Sequence, residues 1–89
     1  MKQFTATIID PIGLHARPAS VVSTIASKFK SDVQITLDKN GKVGNLKSIM
    51  NVMSLGVKKG DTITIKINGA DEEEAYNSIF DAFKSNEII

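Results

Sequence analysis

The sequence predicts an α+β fold in which three helices cover one face of a four-stranded, mainly antiparallel sheet. First, 89 residues with 42% hydrophobic and 24% charged side chains suffice for one small core. Second, segments of period two and of helical period follow one another in the order βαββαβα. Third, so few helices pack most economically on a single face of a short sheet. We therefore expect one domain over residues 1–89, although a ferredoxin-like sheet shares most of this element order.

The first two elements are a strand and an amphipathic helix. Residues 2–9 alternate between apolar and polar side chains, which is the period of a half-buried strand. From Ala16 onward the apolar residues recur at helical spacing instead. They form one stripe, made of Val22, Ile25, Ala26 and Phe29. Lys28 and Lys30 follow where basic side chains favour the C-terminal end of a helix.

The middle of the chain predicts a hairpin and then a short helix. Residues 33–37 alternate like a second strand, and a weaker third strand is predicted over about 42–46. Between them, Asn40-Gly41 is a pair typical of a turn with positive φ. Ser48 is predicted to begin a helix that ends near Met53 or Ser54.

The end of the chain predicts a strand and a long helix. Isoleucines alternate with polar residues over 62–67, and Asn68-Gly69 then predicts a turn. Asp71 is predicted to cap the last helix, with Glu74 completing an acidic capping box. The acidic run 71–74 therefore indicates a helix start rather than a metal site. The expected buried stripe consists of Tyr76, Ile79, Phe80 and Phe83.

Composition excludes several function classes. The net charge of +1 lacks the basic excess typical of nucleic-acid binding. The chain has no cysteine and one histidine, which excludes disulfides, thiolate nucleophiles and the usual zinc motifs. No apolar run exceeds two residues, so we expect neither a membrane span nor a secretory segment, and a cytoplasmic location. We expect no metal and no cofactor.

His15 is the residue best placed for chemistry. It directly precedes the helix predicted from Ala16, so it occupies the N-cap position, and Pro18 is tolerated in the first turn. The free backbone N–H groups at a helix start form a cradle for anions, here spanning Ala16, Arg17 and Pro18. Arg17 adds a guanidinium that matches phosphate oxygens. A nucleophilic ring beside an anion cradle predicts a transient phosphohistidine.

The segment 13–20, GLHARPAS, resembles the active-site motif of the HPr family. These proteins are the histidine-containing phosphocarriers of the bacterial phosphoenolpyruvate:sugar phosphotransferase system. The resemblance covers essentially the whole chain and includes the segment 45–56, NLKSIMNVMSLG. It implies an open-faced β-sandwich with sheet order 1-4-2-3. The chain resembles in particular the HPr of low-GC Gram-positive bacteria and mycoplasmas.

The resemblance also implies a function and partners. His15 would accept a phosphoryl group on Nδ1 from phospho-enzyme I and pass it to IIA domains of sugar permeases, with Arg17 stabilising the phosphate. The protein would be a phosphoryl carrier rather than an enzyme, with no nucleotide, metal, nucleic-acid or membrane-inserting role. We expect it to be a monomer.

The resemblance further implies a regulatory site and a docking surface. Ser48 matches the serine that an ATP-dependent HPr kinase/phosphorylase modifies in Gram-positive relatives, besides capping a helix. The expected partner contacts are Ala16, Arg17, Ser20, Lys28, Lys47, Ile49, Met50 and Met53. Val52 and Leu55 are expected in the core instead. Exposed methionines suit a surface that accepts several partners, because the side chain repacks easily.

Some positions depart from the family pattern. Pro11-Ile12 replaces a polar residue that many relatives have before the glycine, so a hydrogen bond to the active-site loop is expected to be missing. Asn51 lies where Gram-positive relatives commonly have glycine, and Thr24 replaces a basic residue of enteric relatives. Phosphate attraction is therefore expected to depend more on Arg17 and Lys28.

Two other functions fit parts of the pattern. A purely regulatory relative acting through Ser48 would lack the active histidine, whereas His15 and Arg17 are both present. An RNA-binding βαββαβ domain needs aromatic residues on exposed strand faces, and only Phe4 lies on a predicted strand.

Overall fold

The computed structural model describes all 89 residues and has the predicted element order. The four strands are β1 (Lys2–Thr7), β2 (Asp32–Leu37), β3 (Lys42–Asn45) and β4 (Thr62–Asn68). The three helices are α1 (Ala16–Ala26), α2 (Ile49–Ser54) and α3 (Glu72–Ser85). None of these helices is long and apolar enough to cross a membrane.

The strands form one antiparallel sheet in the order β1-β4-β2-β3, the order that the family resemblance implies. The isoleucines of β4 lie at the centre of this sheet, where Ile65 pairs with Phe4 of β1 on one side and with Ile35 of β2 on the other. Pairs in this register place one apolar row of each strand on the same face. The fold class is confirmed: an open-faced sandwich with three helices.

The core lies between the sheet and the helices. Ile35, Ile65 and Val22 are fully buried, as are Ile79 and Phe83 of α3. The opposite face of the sheet carries threonines, and the hydroxyls of Thr5 and Thr64 are hydrogen-bonded at 3.0 Å. Because Phe4 belongs to the core, no strand aromatic faces outward for base stacking.

Element ends differ from the sequence predictions by one or two residues. β1 ends at Thr7 rather than residue 9, and β3 ends at Asn45 rather than residue 46. The hairpin turn lies where it was predicted, but the expected positive φ is found at one residue of the Asn40-Gly41 pair and not at both. Only Gly41 has positive φ (+70°), while the side chain of Asn40 accepts a hydrogen bond from the N–H of Lys42. The side-chain bond lets the turn close without positive φ at Asn40.

The predicted end of α1 was too far along the chain. The helix stops at Ala26, so Phe29 packs from the following turn, and Lys28 and Lys30 lie beyond the last helical turn. The predicted buried stripe of α3 included a residue that is not buried, Phe80. Ile79 and Phe83 are buried, but Phe80 is 37% exposed and packs edge-on against Phe4 at a ring distance of 5.1 Å.

The predicted capping box of α3 was wrong. Asp71 is the N-cap residue, but its carboxylate makes no cap hydrogen bond. It accepts instead from the backbone N–H groups of Lys30 and Ser31, at 2.8 and 2.9 Å, and from the Ser31 hydroxyl. Asp71 therefore ties the start of α3 to the turn between α1 and β2. The adjacent Glu72 accepts from the N–H of Gly69, at 3.1 Å.

Candidate functional site

The loop before α1 is held by backbone contacts with the segment before β4. Gly13 has φ +87°, and a Cβ there would overlap the carbonyl oxygen of Val57. Leu14 is buried, and its N–H donates to the same carbonyl at 3.1 Å. Glycine is required here because only a residue without a side chain combines this φ with so close an approach. The loop therefore delivers His15 to the helix start in a fixed position.

His15 is the N-cap residue of α1, as the sequence predicted. Its backbone is extended, with φ −83° and ψ −173°, and its carbonyl accepts the first helical hydrogen bond, from the N–H of Ala19 at 3.0 Å. The imidazole makes no cap hydrogen bond to the helix, and 32% of the side chain is exposed. The ring is therefore available to an incoming group.

The start of α1 keeps two free donors. The backbone N–H groups of Ala16 and Arg17 make no hydrogen bond within the protein, and both residues are exposed. Pro18 has no N–H and is buried, so it completes the first turn without adding a donor. No acidic side chain lies in this turn. Two N–H groups and a guanidinium thus face solvent beside the ring, an arrangement suited to phosphate.

Asp10 is a neighbour of His15 that the sequence reasoning missed. Its Oδ1 lies 3.8 Å from Nε2 of His15, and the same oxygen accepts from the N–H of Ile12 at 2.9 Å. The turn is closed by the N–H of Gly13, which donates to the carbonyl of Asp10 at 3.0 Å. As expected, Pro11 and Ile12 make no side-chain hydrogen bond to this loop, because neither side chain has a polar atom. Asp10 supplies such a bond from a different position.

A pocket of about 270 Å³ opens beside the ring. Its walls are Asp10, Pro11, Ile12, His15, Arg17, Pro18 and Asn86. Asn86 comes from the end of α3, where its side chain donates to the carbonyl of Ala82 at 2.8 Å. A second depression, which also borders His15, brings Ser20 together with Ala16 and Ile12. Ser20 thus lies on the same surface as the helix start.

Ser48 is the N-cap residue of α2. Its Oγ accepts from the backbone N–H and from the side-chain Nδ2 of Asn51, both at 3.2 Å. Oδ1 of Asn51 accepts in turn from the N–H of Asn45, at 3.3 Å. Asn51 therefore links Ser48 to the end of β3, a contact that glycine could not make.

Three apolar residues of α2 are exposed. Met50 is 78% exposed, Met53 44% and Ile49 38%, whereas Val52 and Leu55 belong to the core. The prediction that Val52 and Leu55 lie in the core is confirmed. The exposed three form a patch, which we call the α2 patch.

The two lysines assigned to partner binding have different surroundings. Nζ of Lys47 donates to the carbonyl of Phe29 at 2.8 Å, so this side chain is anchored to the turn that follows α1. Lys28 is exposed beyond the C-terminal end of α1. Eleven helical residues span about 16 Å. Lys28 is therefore too far from His15 to touch the same phosphate, and the expectation that it attracts phosphate together with Arg17 stays a prediction.

Three carboxyl groups have lowered pKa values, and two of them lie at the start of α3. The Ser31 hydroxyl and then the Lys30 backbone N–H lower the pKa of Asp71 to about 2. A hydrogen bond from the chain's N-terminal amine lowers the pKa of Glu72, and the Lys58 backbone N–H lowers that of Asp61. No group of three or more histidine or acidic side chains is arranged to hold a metal ion.

Comparisons with known proteins identify the family of this chain. A family model described as the PTS HPr component phosphorylation site matches residues 2–85. The chain is 52% identical to the phosphocarrier protein HPr of Mycoplasma genitalium and 47% identical to that of Mycoplasma pneumoniae, in both cases over all of each chain.

Solved structures show the same similarity. A mycoplasma histidine-containing phosphocarrier protein superposes with a TM-score of 0.94 at 45% identity, covering 99% of this chain and 98% of the other. HPr-C-His from Thermoanaerobacter tengcongensis gives a TM-score of 0.87 at 44% identity, covering 96% and 93%.

Proposed function

This chain belongs to the HPr family of phosphocarriers, and we propose that His15 is the residue on which it carries the phosphoryl group. The protein is a phosphocarrier of the phosphotransferase system and not an enzyme. The observation that supports His15 is the open start of α1. A half-exposed imidazole lies there beside two unpaired N–H groups and the guanidinium of Arg17.

The proposed transfer uses Nδ1 of His15 as the nucleophile. Its lone pair forms a bond to phosphorus while the bond between phosphorus and the donor's leaving atom breaks. The phosphoryl oxygens gain hydrogen bonds from the N–H groups of Ala16 and Arg17, which are unpaired before the transfer. The guanidinium of Arg17 opposes the negative charge. Onward transfer reverses these steps, so the protein is regenerated.

We expect phospho-enzyme I to be the donor and IIA domains of sugar permeases to be the acceptors. The family gives the system to which these partners belong. Both would have to approach the same exposed face, since the ring, Ala16 and Ser20 border one surface. We propose that the protein acts in the cytoplasm, in keeping with its family.

The first experiment is phosphorylation with phosphoenolpyruvate and a catalytic amount of enzyme I, followed by intact-mass analysis. We expect a gain of one phosphoryl group that is lost in acid, because phosphohistidine is acid-labile. His15→Ala should gain none, with its urea unfolding curve nearly unchanged, since the ring makes no cap hydrogen bond. Full phosphorylation of the alanine variant would contradict the assignment, and a large loss of stability would mean that His15 is structural.

The α2 patch is proposed as the apolar part of the docking surface. Ile49, Met50 and Met53 expose flexible or branched side chains on a helix that packs against α1, which carries Ala16, Arg17 and Ser20. Methionine adapts to differently shaped partners, which suits a carrier with more than one. Lys47 and Lys28 would border this surface at the far end of α1.

Ser48 is proposed as a regulatory phosphorylation site for an HPr kinase/phosphorylase. It directly precedes the α2 patch, so a phosphate would add a charge of about −1.5 to −2 to the docking surface. Ser48→Asp should slow transfer from enzyme I about tenfold without unfolding the chain, as measured by rapid-quench kinetics. Ser48→Ala is the control, because it loses both hydrogen bonds from Asn51, including the cap at about 1 kcal/mol, and adds no charge. Equal transfer rates in both variants would mean that Ser48 is only a cap.

A further inference from the structure

The carboxylate of Asp10 is the one acidic group that lies against the ring of His15. Oδ1 and Nε2 are 3.8 Å apart, and the Asp10 side chain is only 18% exposed. The other charged side chain of the same pocket is Arg17, and the residue contributed by α3, Asn86, is neutral. The carboxylate is thus placed to act on one particular nitrogen of the ring.

Two hydrogen bonds hold Asp10 in this position. Oδ1 accepts from the N–H of Ile12, and the Asp10 carbonyl accepts from the N–H of Gly13. Gly13 is itself fixed against Val57. The carboxylate is therefore pre-oriented by the turn, and it does not need His15 to stay there.

A neighbouring negative charge favours a proton on the nitrogen that faces it. In neutral imidazole one nitrogen carries the proton and the other has a free lone pair. The groups that face the two nitrogens decide which of them is protonated. Asp10 therefore favours N–H at Nε2 and leaves the lone pair on Nδ1. At 3.8 Å this effect acts through charge rather than through a hydrogen bond.

We propose that Asp10 is a positioning residue, which keeps the proton on Nε2 of His15 so that Nδ1 is the phosphoryl acceptor. This inference rests on the proposed function and adds the group that selects the nitrogen. When Nδ1 bonds to phosphorus, the donor's bond to phosphorus breaks and the Nε2 proton stays, so the ring becomes a cation next to the Asp10 carboxylate. When the Nδ1–phosphorus bond breaks, its electron pair returns to Nδ1 and the ring is neutral again.

The variant that tests this is Asp10→Asn. Asparagine has nearly the same shape and keeps an oxygen that can accept from Ile12, so the turn is retained while the charge is lost. Asp32→Asn is the matched control, because it removes the same charge from an exposed residue at the start of β2, beyond the far end of α1.

The first readout is the ¹⁵N spectrum of the His15 ring at pH 8 in the unphosphorylated chain. We expect the wild-type ring and the Asp32→Asn ring to carry the proton on Nε2. In Asp10→Asn the fraction with the proton on Nδ1 should rise about fivefold, the size expected for a unit charge at this distance in a partly exposed site. An unchanged ratio of the two forms in Asp10→Asn would overturn the proposal.

The second readout is the rate of phosphorylation by phospho-enzyme I. It should fall about fivefold in Asp10→Asn, because the ring cation that forms on transfer loses its neighbouring carboxylate, and it should not fall in Asp32→Asn. A rate that is unchanged or higher would likewise overturn the proposal. The ring spectra need no phosphoryl donor, so they test Asp10 separately from the proposed function. If the wild-type chain accepted no phosphoryl group, the proposed function would fail, whereas the spectra would still report on the proton.

Discussion

The starts of α1 and α3 offer the same backbone feature in two opposite settings. Each has unpaired N–H groups and the positive end of a helix dipole. The first turn of α3 carries three glutamates, Glu72 to Glu74, and Glu72 also pairs with the N-terminal amine at 2.8 Å. The first turn of α1 carries no acidic residue and presents Arg17. The chain thus neutralises one helix start with its own carboxylates and leaves the other for an external anion.

The N-cap side chains of the two helices, Asp71 and His15, differ in the same way: one has hydrogen-bond partners within the protein and the other has none. The carboxylate of Asp71 is fully engaged by Lys30 and Ser31 and serves to join α3 to the turn before β2. The imidazole of His15 makes no cap hydrogen bond and borders an open pocket. The start of α1 is open to an external group because nothing in the protein occupies it.

Among changes that keep His15, the largest expected effect comes from removing the cation at the start of α1. Arg17→Ala should lower the rate of phosphoryl acceptance on the order of 100-fold, the usual cost of losing one preorganised group that stabilises developing charge. Rapid-quench kinetics with phospho-enzyme I would measure it. Lys66→Ala removes an equal charge from the exposed face of the sheet and should leave the rate unchanged. Similar rates in both variants would contradict the role of Arg17.

A smaller effect should follow from making α1 resemble α3. Ala16→Glu places a carboxylate in the first turn, where it competes with phosphate for the free N–H groups. We expect transfer to slow about tenfold while the free energy of unfolding rises by about 0.5 kcal/mol. Ala16→Gln has the same size without the charge and should show little of either effect. Slower transfer in the glutamine variant to the same extent would point to steric hindrance instead.

The smallest effect concerns stability alone. The pKa of Asp71 is lowered to about 2 from 3.8, so its contribution is present above about pH 4 and is lost as the pH falls through about 2. Asp71→Asn should therefore be less stable than wild type to urea at pH 6, and the difference should shrink towards pH 2. Asp81→Asn, an exposed change on the same helix, is the control. A difference that stays constant with pH would mean that the charge of Asp71 is not what stabilises the protein.

Sequence patterns predicted the structural features that depend only on residues close together in the chain, such as the start of a helix. The helix starts that place His15, Arg17 and Ser48 can be predicted, because apolar spacing and one turn signal show where each helix begins. Strand order, in contrast, came from the family resemblance, because element order alone fits more than one sheet.

Contacts between distant segments could not be predicted in this way. Asp71 matches a capping-box position, but Lys30 and Ser31, about forty residues earlier, bind its carboxylate more closely than the helix does. Asp10 is five residues from His15, yet its position depends on Gly13 packing against Val57. Sequence reasoning interpreted Asp71 from its own segment and missed Asp10, because tertiary packing decides what the two carboxylates contact.

The most direct test of the open helix start is nuclear magnetic resonance of the ¹⁵N-labelled, phosphorylated chain. We predict that phosphorus is coupled to Nδ1 of His15 and that the amide signals of Ala16 and Arg17 shift strongly on phosphorylation. Those of Glu73 and Glu74 in α3 should stay in place. Phosphorus coupled to Nε2, or unchanged amide signals at Ala16 and Arg17, would contradict the account.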